Sequence, residues 1–166
     1  VYIEDAAAFA EHCMTFFRDD RTAGYYLSSF NAISPPPVQK KYWYDNASPS
    51  GNSSLLRTFS QLYQFTKNKK WEAEYLEARS AFTNLVKRNP EGVSYALTTI
   101  TEETVGLVKV TAPDSAKEEI FDIIGPLPYR PIIYKFTNTG SKIEIEVKEY
   151  IEEVSNTENL MKKLFG

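Results

Sequence analysis

Hydrophobic positions recur at three- and four-residue steps through most of the first hundred residues, and this spacing predicts helices. The first helix is predicted for residues 2–17, with Phe9, Cys13 and Phe17 on its apolar stripe. The paired acidic residues that follow, and then Gly24, predict its end.

Two longer helices, the first ending near Thr66 and the second running from about Trp71 to Lys87, are predicted to pack against each other as an antiparallel hairpin. Ser48, which precedes a proline, or Ser50 can cap the first of them. The polar run 67–70 is predicted to be the break between the two helices.

The segment between the first helix and the hairpin is rich in aromatic residues. Gly24–Phe30 and Val38–Tyr44 are predicted to form a short antiparallel ribbon. The three prolines 35–37 are expected in the connection, because proline cannot donate a hydrogen bond to a strand ladder.

After a shorter helix at 93–103, the pattern changes from helical steps to a β-α-β order. The predicted elements are a strand at Val105–Thr111, a helix at Ser115–Ile124, strands at Ile132–Thr137 and 143–147, and a last helix at Thr157–Phe165. The strand at 143–147 alternates apolar and charged residues, which is typical of one solvated face. The fold class is therefore predicted as α+β, with a three-stranded mixed sheet in a β-α-β-β-α layer. The predicted domains are 1–104 and 105–166.

Composition indicates a soluble globular protein with a substantial core, since 42% of the 166 residues are hydrophobic and 25% are charged. The formal net charge is −3, which argues against a nucleic-acid partner because binding phosphates needs a basic excess.

No apolar run is long enough to span a membrane. The acidic start lacks the basic residues of a signal peptide, so a cytoplasmic location is predicted. The chain opens on Val1 rather than methionine, which predicts a piece of a longer protein.

The single cysteine and the single histidine restrict the chemistry of this chain. Cys13 alone cannot form an internal disulfide or a cysteine zinc site, and no metal or cofactor is predicted. His12 and Cys13 are neighbours on a helix and so do not face each other. His12 could act as a general base if it faces a cavity. Cys13 is interpreted as a small buried hydrophobic residue.

The most informative stretch runs from Tyr44 to Ser53 and contains Ala47-Ser48-Pro49-Ser50-Gly51-Asn52-Ser53. It resembles the Ala-x-Pro-Ser-Gly-Asn-Ser signature of the spermatogenesis-associated, thioredoxin-like protein family. The order of predicted elements on both sides also resembles that family, so the resemblance covers nearly the whole chain.

In that family a thioredoxin-like domain precedes an (α/α)6 toroid of the six-hairpin glycosidase type, similar to N-acylglucosamine 2-epimerases. The resemblance implies that this chain is the C-terminal part of such a protein, with part of the toroid followed by an α/β layer. The thioredoxin-like domain would then lie upstream. Many family members carry cysteines in the final strand region, and 146–151 holds none here, so no redox or metal role is transferred.

Three polar residues in or just before the signature are candidates for ligand binding. Ser50 and Asn52 lie where a helix is predicted to begin, and free backbone N–H groups there favour an anion or a sugar hydroxyl. Asp45 could accept hydrogen bonds from a polyol. The alternative interpretation is a helix cap with a tight backbone contact at Gly51.

Aromatic residues of the predicted ribbon are candidates for a sugar-stacking wall, because an aromatic face suits the apolar face of a pyranose. Tyr26, Tyr42 and Trp43 are the candidates kept from this group. The alternative is that the aromatic side chains pack the ribbon onto the helices. Carboxylates at Glu102, Glu103 and Asp114 could serve glycoside chemistry, or could be solvated charges at helix ends.

Two functions from different classes follow from these observations. The first is part of a carbohydrate-binding or carbohydrate-converting toroid, with Asp45, Ser50, Asn52 and Trp43 on its cavity. The second is a non-catalytic structural and interaction domain that supports the upstream thioredoxin-like domain. The predicted partners are a small carbohydrate, the remaining domains of the same protein and a second copy of this chain. The piece alone is expected to be inactive as an enzyme, since half a toroid cannot exclude water.

Overall fold

The structure is a computed structural model that describes residues 2–124, 132–147, 150–156 and 158–160. The predicted α+β class is confirmed. The chain divides into two compact units, Val1–Thr101 and Glu102–Gly166.

The first unit begins with helix α1, Tyr2–Phe16, and continues after a long irregular segment with helix α2, Gly51–Thr66. Ser50 is the N-cap of α2, and its hydroxyl accepts a hydrogen bond from Ser53 N. This satisfies a backbone donor that the first turn of a helix leaves without an intrahelical partner.

Helix α3, Lys69–Arg88, follows α2 and begins two residues before its predicted start. The predicted break at 67–70 is too long. Lys67 adopts a left-handed conformation that ends α2, and the side chain of Asn68 caps α3 by accepting from Lys70 N. Two residues therefore suffice to separate the helices of the hairpin.

Helix α4, Ser94–Val105, is preceded by a 3-10 turn at Glu91–Val93. The strand predicted for Val105–Thr111 is present but begins three residues later, at Val108, because α4 continues to Val105. Gly106 has a φ of 104° and donates its N–H to the carbonyl of Glu102, which ends the helix at this point.

The core of the first unit lies among its four helices. Leu56, Phe59, Phe82 and Val93 are fully buried there. Phe59 stacks on Trp71, with the ring centroids 6.2 Å apart, which joins α2 to α3.

The predicted antiparallel ribbon of residues 24–30 and 38–44 is wrong, since both stretches are irregular. A hydrogen bond from Leu27 N to Lys40 O joins them, and the only bridge of strand type in this region pairs Arg18 with Tyr25. Side chains from other segments take up backbone groups that a ribbon would have paired.

The second unit contains a four-stranded sheet rather than the predicted three strands. The strands are β1 (Val108–Pro113), β2 (Ile132–Thr137), β3 (Ile143–Val147) and β4 (Tyr150–Val154), in the order β2-β1-β3-β4. β1 pairs parallel with β2 and antiparallel with β3, and β3 pairs antiparallel with β4. The missed strand β4 makes the layer β-α-β-β-β before its last helix.

One face of this sheet carries the apolar core of the second unit. A 3-10 turn at Asp114–Ala116 leads into helix α5, Lys117–Ile124, whose Ile120 is fully buried with Val110. Of the predicted last helix, residues 158–160 are helical, and the rest of Thr157–Phe165 lies outside the described residues. Within the described ranges, no helix has the length and apolar character needed to cross a membrane.

Candidate functional site

The side chain of Asn52 holds two loop segments against the start of α2. Its Oδ1 accepts a hydrogen bond from Tyr25 N at 2.8 Å, and its Nδ2 donates to the carbonyls of Tyr25 and Tyr42, each at 2.9 Å. Asn52 is only 5% exposed. The amide is therefore occupied by backbone groups of the same chain.

The carboxylate of Asp45 has a comparable set of internal partners. Oδ1 accepts from Ser50 N and from the hydroxyl of Ser53, both at 2.8 Å, and Oδ2 accepts from Tyr95 N at 2.9 Å. The backbone N–H of Asp45 donates to Gly92 O at 2.7 Å. Asp45 thus ties the signature segment to the start of α2 and to α4.

Ser50 completes this network beside its capping role. Its hydroxyl lies 2.7 Å from the hydroxyl of Ser53 and 3.2 Å from the carbonyl of Trp43. Of the three polar residues predicted to bind a ligand, Asp45 and Ser50 are thus joined through Ser53, while Asn52 binds backbone groups of Tyr25 and Tyr42.

The predicted tight backbone contact at Gly51 is wrong, because a Cβ there would meet nothing within 4 Å. The close approach occurs at Gly24, whose φ is 102°. A Cβ on Gly24 would lie 2.3 Å from Cη2 of Trp43 and 3.1 Å from Oδ1 of Asn52. The close contact therefore lies at Gly24, in the irregular segment that packs against α2. It does not lie at Gly51, the first residue of α2.

Trp43 packs inward against this glycine and against the core. Its ring meets Phe82 edge to face, with the centroids 5.2 Å apart. Trp43 therefore does not line the open cleft beside α1 and α2, where the sequence predicted it.

An open cleft of about 330 Å³ lies between α1, α2 and the irregular segment. Three of the predicted site residues, Tyr26, Tyr42 and Asn52, line it. Cys13 lines it as well, and burial raises the pKa of the Cys13 thiol, which keeps the sulfur in its neutral form. Most of the remaining wall is apolar and includes Leu55.

His12 is exposed and is not part of the cleft wall. Its ring lies 4.6 Å from that of Phe16, centroid to centroid, and 6.1 Å from that of Phe17. The imidazole is tilted by 52° and 51° against these two rings, so its described ring contacts are with phenylalanines at the end of α1.

A polar cluster around Asp19 was not found from the sequence. Its carboxylate pairs with Lys41 Nζ at 2.7 Å and accepts from Thr22 Oγ1 at 2.7 Å and Arg21 N at 2.9 Å. The hydrogen bond from Lys41, with those from Arg21 and Thr22, holds the pKa of Asp19 far below its usual value. A bond to Asp19 also raises the pKa of Tyr26.

Lys41 extends this cluster into the other half of the irregular segment. Its Nζ donates to the carbonyls of Thr22 and Ala23 at 2.9 and 2.8 Å. The sequence did show the acidic pair that follows the first helix. It could not show that Lys41, about twenty residues away, is the partner of Asp19, because no local pattern connects the two.

A second network missed from the sequence connects the start of the irregular segment to α3. Arg18 bridges Glu74, at 2.7 Å, and Glu77, while the Tyr25 hydroxyl donates to Glu74 at 3.1 Å. Burial and the neighbouring Glu74 raise the pKa of Tyr25, so its hydroxyl stays protonated as a donor.

The carboxylates that could serve glycoside chemistry lie near the end of α4 and in the turn after β1. Glu102 is buried and Glu103 is half-buried on α4, while Asp114 is exposed in the turn after β1. In the described ranges, no group of three or more His, Cys, Asp or Glu side chains is placed to hold a metal ion.

No family model matches the chain, and no curated protein matches its sequence.

Proposed function

We propose that this chain is the C-terminal part of a larger protein of the spermatogenesis-associated, thioredoxin-like kind, and that it acts there as a non-catalytic structural and interaction unit. In that setting the first unit forms part of an α/α toroid and supports the upstream thioredoxin-like domain. The proposal rests on the observation that polar side chains in and beside the signature form hydrogen bonds within the chain itself. The polar atoms of Asp45 and Asn52 bind backbone groups of the same chain.

A binding loop usually keeps some polar groups available for its ligand, because a ligand hydroxyl needs donors and acceptors to replace water. Asp45 accepts from two backbone N–H groups and one hydroxyl, which use three of the about four acceptor sites of a carboxylate. A sugar that takes more than the one remaining site would have to displace one of these partners. Displacing a partner leaves a backbone donor without a hydrogen bond, at a cost of about 1–3 kcal/mol. This cost favours the structural role over a sugar contact at Asp45.

A thermal melt of Asp45→Asn tests the structural role. The amide keeps one acceptor oxygen but places an NH₂ group against an N–H donor, so we expect a lower melting temperature with or without sugars. Ser54→Ala is the control, since Ser54 is an exposed residue of α2, the helix whose start Asp45 binds. Unchanged stability in Asp45→Asn would contradict the proposal.

A second candidate function is carbohydrate binding in the cleft, and the shared location of Tyr26, Tyr42 and Asn52 favours it. Tyr42 is 54% exposed, so Tyr42→Ala should fold while removing one aromatic wall. The test is a thermal-shift panel of mono- and disaccharides on the wild type and on this variant. A sugar that stabilises only the wild type would establish this function, and the absence of any shift would reject it.

A further inference from the structure

The wall of the cleft between α1, α2 and the irregular segment consists mainly of aromatic and aliphatic carbon. The aromatic and aliphatic side chains that line it are Phe17, Tyr25, Tyr26, Leu27, Tyr42 and Leu55. An apolar ligand that covers such a wall releases water from both surfaces, which favours binding. The composition of the wall therefore suits a ligand that is itself mostly apolar.

The charge of the lining restricts the ligand further. None of the described residues that line the cleft carries a charged side chain. The ammonium group of Lys41 lies 5.2 Å from the ring centroid of Tyr26, but it is paired with Asp19 at 2.7 Å. A charged ligand would lose hydration in the cleft without gaining an ion pair, and this loss is unfavourable. The lining therefore selects an uncharged ligand.

Polar groups on the inner wall of the cleft are engaged within the chain. The amide of Asn52 donates to two backbone carbonyls, and the hydroxyl of Tyr25 donates to Glu74. A sugar brings several hydroxyl groups, and each needs a partner to replace the water it loses. The hydroxyls of Tyr42 and Ser54 lie on exposed side chains of the cleft and can meet one polar substituent of a ligand.

The volume of the cleft sets the size of the ligand. An apolar cavity of about 150 Å³ holds one benzene ring, and the cleft measures about 330 Å³. We propose that the cleft binds an uncharged aromatic compound of about two fused rings that carries one polar substituent. This inference does not rest on the structural role of the signature, and it gives the cleft a different class of ligand from carbohydrate.

A fluorescence titration of the full chain with 2-naphthol tests the proposal, because this probe is uncharged at neutral pH and has two fused rings and one hydroxyl. We expect saturable binding with a dissociation constant of about 0.1–1 mM, as is usual for so small a ligand. Naphthalene-2-sulfonate has the same rings and a negative charge, so it should bind about tenfold more weakly. Equal affinity for both probes, or no saturable binding of 2-naphthol, would overturn the proposal.

Two exposed tyrosines of the irregular segment provide matched variants. Tyr42 is 54% exposed and lines the cleft, whereas Tyr44 is 52% exposed and does not line it. Tyr42→Ala should raise the dissociation constant of 2-naphthol about threefold to tenfold, because it removes one aromatic contact. Tyr44→Ala should leave it unchanged, and circular dichroism shows that both variants are folded. Equal effects of the two changes would place the probe outside the cleft and overturn the proposal.

Cys13 gives a readout inside the cleft, since it lines the wall and is the single cysteine of the chain. With 2-naphthol at about twice its dissociation constant, the reaction of Cys13 with N-ethylmaleimide should slow about threefold. An unchanged rate with the probe bound would contradict the proposal. Protection by a mono- or disaccharide but not by 2-naphthol would assign the cleft to carbohydrate instead. Neither result alters the melting temperature of Asp45→Asn, so the structural role of the signature is tested separately.

Discussion

The side chain of Asn52 hydrogen-bonds to both backbone polar groups of Tyr25, accepting from its N–H at 2.8 Å and donating to its carbonyl at 2.9 Å. The amide therefore pairs with this loop residue as a neighbouring strand would. Gly24, directly before Tyr25, gives the ring of Trp43 and the amide of Asn52 the room they need. This pairing explains how an irregular segment is held in place without a ribbon.

Replacement of Asn52 by alanine should destabilise the first unit by about 2–4 kcal/mol. The change leaves one backbone N–H and two carbonyls without this partner, and each lost bond in a buried setting costs about 1–3 kcal/mol in the absence of relaxation. Urea unfolding followed by circular dichroism measures the loss. Ser54→Ala should stay within about 0.5 kcal/mol of the wild type, and equal effects from both changes would contradict the role given to Asn52.

Gly24→Ala and Gly51→Ala form a matched pair with opposite expected outcomes. At Gly24 the added Cβ meets the Trp43 ring and the φ of 102° disfavours L-residues, so we expect a loss of about 2–4 kcal/mol. At Gly51 the space is open and alanine favours the helix, so stability should be equal or slightly higher. Denaturant unfolding of both variants measures the change in the free energy of unfolding. A Gly24→Ala variant as stable as the wild type would contradict the close contact with Trp43.

Asp19 should contribute stability that depends on pH in a defined direction. Its folded pKa is lowered, so the contribution is present above the ordinary aspartate pKa, about 3.9, and falls as the pH drops toward the folded value. Melting curves of Asp19→Asn and the wild type should therefore differ most near neutral pH and converge below about pH 4. Asp20→Asn is the matched control, since Asp20 is exposed, and an unchanging gap across pH would contradict the pairing.

Cys13 should react slowly with thiol reagents in the folded protein. Its pKa is raised by burial, so less thiolate is present near neutral pH than in an unfolded chain. The rate of reaction with a disulfide reagent at about pH 7.5 should rise when urea unfolds the protein, beyond the rise that urea causes for free cysteine. A folded-state rate equal to that of the unfolded chain would mean that the cleft does not shield the sulfur.

Helices and most strands could be predicted from local pattern, because their periodicity is set by residues close in sequence. The strand Ile132–Thr137 and the strand Ile143–Val147 agree with their predicted bounds. The cap at Ser50 was one of two predicted choices and is confirmed. The strand β4 was missed, because its two glutamates interrupt the apolar run.

The candidate site could be recognised only in part. The Asp45-to-Ser53 segment was identified from its residues, yet polar groups at a helix start are compatible with both a cap and a ligand loop. The partners that distinguish these roles, Tyr25 and Tyr95, lie 27 and 50 residues away from the side chains that bind them. No local pattern encodes such distances.

The sequence by itself therefore determined the helical first half, the α/β second half and the position of the signature before a helix, since periodicity, caps and turns are local properties. Only the tertiary structure decided which backbone groups Asp45 and Asn52 bind, that Trp43 packs inward, and that Tyr26, Tyr42 and Cys13 share a cleft. Those outcomes depend on which distant segments pack together, and packing is a property of the whole first unit rather than of any short stretch.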